Sequence, residues 1–206
     1  MTPQIFRTSW TNTDEPLLPL SKSRLDKFDL LKATSDFLHI AGLPGYCEPS
    51  LSFVNDTDDV VYGINKLTDQ YDYLTEECDP EEDNPDFEKY IVIGSCRDGD
   101  PIAIDTSDHD KIVELDDEDL FSSMYFNSSI ETLAEFLILY RDFETEVLQD
   151  KNPEDNSQCF NFSDEQFERL KSKMYAIDST AITEDSFWSE QLEIMLALRQ
   201  EKFPKP

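Results

Sequence analysis

Residues 90–137 read YIVIGSCRDGDPIAIDTSDHDKIVELDDEDLFSSMYFNSSIETLAEFL. The stretch begins as an apolar strand, Tyr90-Ile91-Val92-Ile93-Gly94, and returns as Pro101-Ile102-Ala103-Ile104-Asp105. Asp98-Gly99 between them is a hairpin signal, because Gly99 takes positive φ without a Cβ clash and Asp98 tolerates it better than most residues. Pro101 sits just past the turn, where its missing N–H need not interrupt a ladder. A third run, Lys111-Ile112-Val113-Glu114-Leu115-Asp116, follows a polar turn, and Asn127-Ser128-Ser129 then opens an amphipathic helix. Three strands in a meander feeding one helix read as an antiparallel sheet packed against a helix.

Upstream of this stretch, Leu51–Val54 and Val60–Ile64 read as short strands around an acidic turn at Asn55–Asp59. Residues 24–41 carry Leu25, Phe28, Leu31, Phe37 and Leu38 on an interrupted helical face. Gly42 and Pro44 supply the stop, and Ser35 is placed to cap a last short helix. Residues 1–23, with Pro3, Pro16 and Pro19, read as an irregular arm anchored by Ile5, Phe6 and Trp10, ahead of a single domain over 24–206. Segment 75–88, TEECDPEEDNPDFE, combines two prolines with clustered like charges and is expected to form a mobile loop.

Downstream, Ser128 and Glu131 form a Ser-x-x-Glu capping box for a helix to about residue 149. A polar linker spans 150–161. Ser163 and Gln166 form a second box, with Phe162 and Phe167 as a hydrophobic staple, and Thr183 is placed to cap a final helix through Phe187, Trp188, Leu192, Met195 and Leu198. These C-terminal helices occupy 163–201. Strand alternation meeting a helical stripe predicts one core from Leu51, Phe53, Ile91, Ile93, Ile102, Ile104, Leu133 and Phe136.

The chain has 206 residues, 38% of them hydrophobic, with 14 Phe and 8 Tyr, enough for a sizeable core. No apolar run approaches the ~20 residues of a membrane helix. The opening MTPQIFRTSWTNTDEP lacks a basic segment followed by an apolar one, so no secretory leader is expected and the location expected is cytoplasmic. Cys47, Cys78, Cys96 and Cys159 form no CxxC pair, and His39 and His109 complete no zinc pattern, which favours reduced thiols.

A net charge of −29 argues against nucleic-acid and anionic-lipid surfaces and favours a cationic partner. Residues 56–119 hold 23 acidic residues against four bases, and so carry −19 of the total. No nucleotide-binding glycine loop and no nucleophile elbow occurs. The Asp105, Asp108, His109 and Asp110 cluster lacks the Gly and distal Glu of a calcium loop and reads better as turn residues. Carboxylate pairs are so abundant that no one pair marks a hydrolytic dyad. No catalytic residue, metal or cofactor is expected.

The order of several motifs resembles SUKH-superfamily immunity proteins, in the branch with a Gly-Leu-Pro opening. The resemblance rests on Ala41-Gly42-Leu43-Pro44, on Pro49-x-Leu51-x-Phe53, and on Tyr90-Ile91-Val92-Ile93-Gly94-Ser95. It continues through Gly99-Asp100-Pro101-Ile102-Ala103-Ile104-Asp105, Val113 with Leu115, Phe126-Asn127-Ser128-Ser129, Glu135-Phe136-Leu137 and the Phe187-Trp188 helix. It covers 34–143 well and the remainder loosely. It implies a single α+β domain, a curved and mostly antiparallel sheet flanked by helices, without enzymatic activity, that protects a cell by binding a polymorphic toxin, often a nuclease. Gly94 and Gly99 would serve backbone geometry, and Asn127 and Ser128 the helix entry.

Relatives of this kind also occur as regulators, so an interaction scaffold without a toxin is the alternative. A carboxylate-dependent hydrolase ranks below both. A nuclease that grips phosphate is basic, and an acidic partner competes for that surface. The candidate contact residues for a basic protein partner, a cognate toxin domain, are therefore Asp56, Asp58, Asp59, Glu81, Glu82, Asp83, Asp86, Asp116, Asp117, Glu118 and Asp119.

Overall fold

The computed structural model describes residues 1–11, 14–75, 86–149, 151–152 and 155–204. In chain order the elements begin with α1 (Pro3–Ser9), β1 (Leu17–Leu18), α2 (Lys22–Leu25), α3 (Lys32–Ile40), β2 (Leu43–Pro44), β3 (Tyr46–Cys47) and β4 (Leu51–Phe53). They continue with β5 (Asn65–Lys66), α4 (Leu67–Gln70), β6 (Tyr90–Ser95), β7 (Pro101–Asp105), β8 (Lys111–Asp116) and β9 (Ser122–Asn127). Helices α5 (Ile130–Leu148), α6 (Asp164–Ile177) and α7 (Phe187–Lys202) complete the chain. Short 3-10 turns lie at Asp72–Thr75, Phe87–Lys89, Asn156–Phe160 and Thr180–Ile182. The fold is α+β.

The main sheet runs β3-β4-β6-β7-β8-β9, all pairs antiparallel, with β5 sharing the outer edge of β6. Hairpin β6–β7 closes as its sequence predicts: Gly99 has φ +100°, and the Gly99 amide donates to the Cys96 carbonyl. Asp98 keeps negative φ, so only the glycine of the pair is in the left-handed region. A Cβ on Gly94 would meet the Ser52 carbonyl oxygen at 2.3 Å, so β4 approaches β6 only because that position is bare.

The central strands are buried on both faces. Ile91, Ile93, Ile102, Ile104 and Ile112 enter the large core, where they meet Phe37, Leu133, Phe136 and Trp188. All eight residues expected in the core lie there, each under 8% exposed. On the opposite face Tyr90, Val92, Ala103, Val113 and Leu115 form a second, smaller core beneath Leu67 and Phe121, with Tyr71, Leu74 and Phe87 against it. Two-sided burial explains why β6 and β7 read as continuous apolar runs rather than alternating ones.

Several local expectations are corrected. The meander has a fourth strand, β9, which pairs with β8 from Asp116↔Ser122 to Ile112↔Asn127. Its opening Ser122-Ser123 hides it, because the solvent side of an edge strand needs no apolar residue. Val60–Tyr62 is a turn, and of the expected strand only Gly63 makes a bridge, an isolated parallel one to Asn55. The Asp59 carboxylate accepts from the amides of Val61 and Tyr62 at 2.8 and 3.1 Å, and the Asn65 side chain donates to the carbonyls of Asp59, Val60 and Gly63. Such local side-chain bonds compete successfully with a strand ladder.

The helix expected over 24–41 is two helices, α2 and α3, separated at Asp26–Leu31. Ser35 lies inside α3 and caps nothing; its hydroxyl accepts from Lys22 Nζ at 3.0 Å. The first box is shifted by one residue: Ser129 caps α5 and pairs with Thr132, not Ser128 with Glu131. Ser163 and Gln166 cap α6 as expected, and the Phe162 and Phe167 rings stack at 5.7 Å. Ser186, not Thr183, caps α7. Residues 3–9, expected to be irregular, form α1 with Thr2 as its cap, and Phe6 and Trp10 join the large core. A 3-10 turn occupies part of the expected 150–161 linker.

Candidate partner-binding surface

The structure divides the predicted acidic residues by what their carboxylates already hold. Asp56 accepts from the Ser21 amide, the Ser21 hydroxyl and Arg24 Nε, at 3.1, 2.9 and 2.9 Å. These donors, the Ser21 amide foremost, hold its carboxyl below the ordinary range. Asp58 takes Arg24 from the other side at 2.9 Å, with Lys27 at 3.9 Å. Both acids therefore clamp the 55–59 turn to α2. Asp59 folds its own turn. Asp86 is exposed ahead of Phe87 and makes no side-chain cap there. Glu81, Glu82 and Asp83 lie outside the described residues.

The β8–β9 turn is different. Asp116 accepts from the amides of Glu118 and Asp119, which leaves the Asp117, Glu118 and Asp119 carboxylates in solvent. None of the three pairs with a base among the described residues. Leu120 and Phe121 follow at φ +52° and +57°, a region bulky side chains rarely occupy. This backbone sends Phe121 into the small core and leaves Leu120 86% exposed.

Beside this turn the sheet's outer face opens into a hollow of about 470 Å³, lined by Phe53, Val61, Tyr62, Tyr71, Gly94 and Gly99 among others. Val61 and Tyr62 are 70% and 65% exposed, and Tyr73 stands beside Tyr71 at 6.1 Å between ring centroids. Tyr71 also packs edge-on against Phe121 at 4.7 Å. Its hydroxyl is held in its neutral form by burial and by Asp117 and Asp100 nearby. Asp100 accepts from the Asp117 amide at 3.1 Å, yet burial and the repulsion of Asp117, Asp116 and Asp98 still raise its carboxyl. The hollow itself is lined by apolar, aromatic and neutral polar groups, and Tyr71 links it to the neighbouring acids Asp100 and Asp117.

Two clusters offer cation-ligand spacing, Cys96 with Asp100 and Glu114, and Asp100 with Asp116 and Asp117. Burial and its bond with Glu114 push the Cys96 thiol up to about 12, so it is no thiolate at neutral pH. Asp105, Asp108 and Asp110 serve the turn and its neighbours: Asp105 accepts from Ser107 and pairs with Lys89, Asp108 pairs with Lys111, and Asp110 accepts from the Leu31 amide.

A family model described as SUKH-4 immunity protein matches residues 13–194. The chain belongs to the SUKH-4 immunity protein family. No match was found among curated proteins or solved structures. In this SUKH-4 protein the matched span holds the whole main sheet, the outer hollow and α5 and α6, while α1 precedes it. Among the described residues no helix is long and apolar enough to cross a membrane.

The acidic turn at 116–119 was legible from sequence as charge. The apolar half of the surface was not. Val60-Val61-Tyr62 resembles a strand because β-branched and aromatic residues favour strands, and only the Asp59 and Asn65 side chains reveal a turn. Leu120, an apolar residue directly after four acids, was the available signal.

Proposed function

We propose that this protein neutralises a cognate toxin domain in the cytoplasm by binding it, without catalysis of its own. The observation that carries the reading is the exposed Val61 and Tyr62 at the outer hollow, joined through Tyr71 and Phe121 to the turn that exposes Leu120 and the Asp117, Glu118 and Asp119 carboxylates, which pair with no base among the described residues. Tight interfaces combine aromatic anchors that supply affinity with a polar rim that steers approach. A rim of carboxylates selects a basic partner, and a nuclease domain, which must grip phosphate, presents such a surface. Membership of an immunity protein family supports the same reading. Asp56 and Asp58 serve the fold in this proposal, and Asp59 shapes the loop that presents Tyr62.

The test is coexpression with the toxic domain encoded beside this gene. A stoichiometric complex and restored growth are expected, and Tyr62→Ala should weaken binding by about 30-fold if Tyr62 is an anchor. A basic adjacent toxin that is neither bound nor inhibited overturns the reading. A neighbourhood without any toxin would favour a regulatory scaffold on the same fold instead.

A further inference from the structure

Helix α5 presents Tyr140, Phe143, Glu144 and Leu148 on one stripe, as their spacing requires. That stripe forms one wall of a cleft of about 670 Å³, closed by Phe160 from the 3-10 turn, Met195 from α7 and Glu48 from the β3–β4 loop. The cleft contains two polar groups whose bonding is incomplete. The Tyr140 side chain is only 6% exposed, and its hydroxyl has no hydrogen-bond partner among the described residues. Glu144 is half-buried beside it and meets neither a donor nor a base there. Glu48 stands at the rim and accepts from the Tyr46 hydroxyl and the Ser50 amide, again without a base.

We propose that this cleft is a receptor for one guanidinium group, an arginine side chain of the basic partner, held by the Glu144 carboxylate and the Tyr140 hydroxyl. A guanidinium is planar and carries several donors, so it can meet a carboxylate edge-on while stacking on aromatic walls such as Phe143 and Phe160. A compact ammonium uses neither wall as well. The guest also supplies a positive charge to Glu144 and Glu48, neither of which pairs with a base among the described residues.

Arg97, on the β6–β7 turn, lines the same cleft, but the charges acting on Glu144 come from Glu48 alone. Cys159 and Asp155 complete the polar lining, and Lys151 turns to the carbonyls of Gln158 and Asn161. Burial and Glu48 push the Glu144 carboxyl up to about 8, so at neutral pH it holds a proton that an entering cation would displace. The β6–β7 turn touches both sites: Gly99 lines the outer hollow and Arg97 this cleft.

That the guest belongs to a protein partner rests on the function proposed above; the affinity of the cleft for guanidinium does not. The experiment therefore uses the isolated protein, titrated with N-acetyl-arginine amide or its neutral isostere N-acetyl-citrulline amide, and reads the carboxyl and aromatic NMR signals. Saturable shifts at Glu144 and Tyr140 are expected at about 1–10 mM arginine derivative, the range of a single side-chain contact. The Glu144 carboxyl should move towards its ionised position, and the citrulline derivative should bind about tenfold more weakly or worse.

Glu144→Gln and Tyr140→Phe should each weaken the arginine response with the melting transition still cooperative. Absence of saturable shifts, equal response to citrulline, or an unchanged response in Glu144→Gln overturns the proposal. Because no toxin is present in the titration, those results leave the toxin-binding assay to decide the wider reading by itself.

Discussion

The indole Nε1 of Trp188 donates to Oδ1 of Asn127 at 3.0 Å, and both residues are fully buried. Asn127 ends β9 just before the cap of α5, and Trp188 lies in the first turn of α7. One bond therefore ties the last strand and the C-terminal helix across the centre of the large core. The Asn127 amide nitrogen has no acceptor among the described residues, so that side chain is held by the indole alone.

Asn127→Ala should accordingly destabilise by more than the loss of one surface bond. It strands a buried indole N–H, a penalty of about 1–3 kcal/mol, and leaves a void besides. Chemical denaturation should show a lower midpoint with unchanged slope, and a midpoint equal to wild type would refute the pairing.

Phe136 sits on α5 with its ring 5.3 Å from that of Trp188 and no exposure. Phe136→Ala should cost about 3–5 kcal/mol. Phe121→Ala in the small outer core should act more locally. Hydrogen exchange should accelerate in Leu67–Gln70 and at the β8–β9 turn before the large core is affected, because Phe121 bridges the turn to Tyr71. Equal acceleration throughout would show that the two cores unfold as one.

The large core was readable because its residues repeat at strand and helix spacing, Ile91 and Ile93 against Leu133 and Phe136. The small core was hidden by the same runs: Val92 and Val113 look like ordinary strand residues whichever face they serve. Cap positions slipped where several hydroxyls adjoin, as at Asn127-Ser128-Ser129, since chemistry alone does not say which serine ends the strand. Charge was legible as a total but not by role. Asp56 and Asp117 look alike in sequence, yet Arg24 and Ser21 engage the first and, among the described residues, no base engages the second.

Reversal of the unpaired turn, Asp117→Lys with Glu118→Lys and Asp119→Lys, should slow association with a basic partner and flatten its dependence on salt. Exposed charges act over a Debye length of about 8 Å at physiological ionic strength, so they govern encounter rather than lifetime. Tyr62→Ala should do the opposite and mainly hasten dissociation. Stopped-flow traces at several salt concentrations separate the two, and an unchanged association rate in the triple variant would reduce the turn to a solubilising surface.

Glu144 makes stability depend on pH in a window free of most other carboxylates. Its folded-state value of about 8 lies above the ordinary 4.5. Between these values the folded protein binds a proton that the unfolded chain has released. The stability linked to that proton is therefore complete below the ordinary carboxylate range and is lost as pH rises through about 8. Asp56 and Glu88 are shifted down by their donors, so their contributions are lost only in acid. Wild type should then weaken from pH 5 to pH 9, while Glu144→Gln, neutral throughout, should stay flatter and become the more stable of the two at the alkaline end. Parallel denaturation curves across that range would place the Glu144 carboxylate in contact with solvent or a base, and would remove the cleft's claim on a cation.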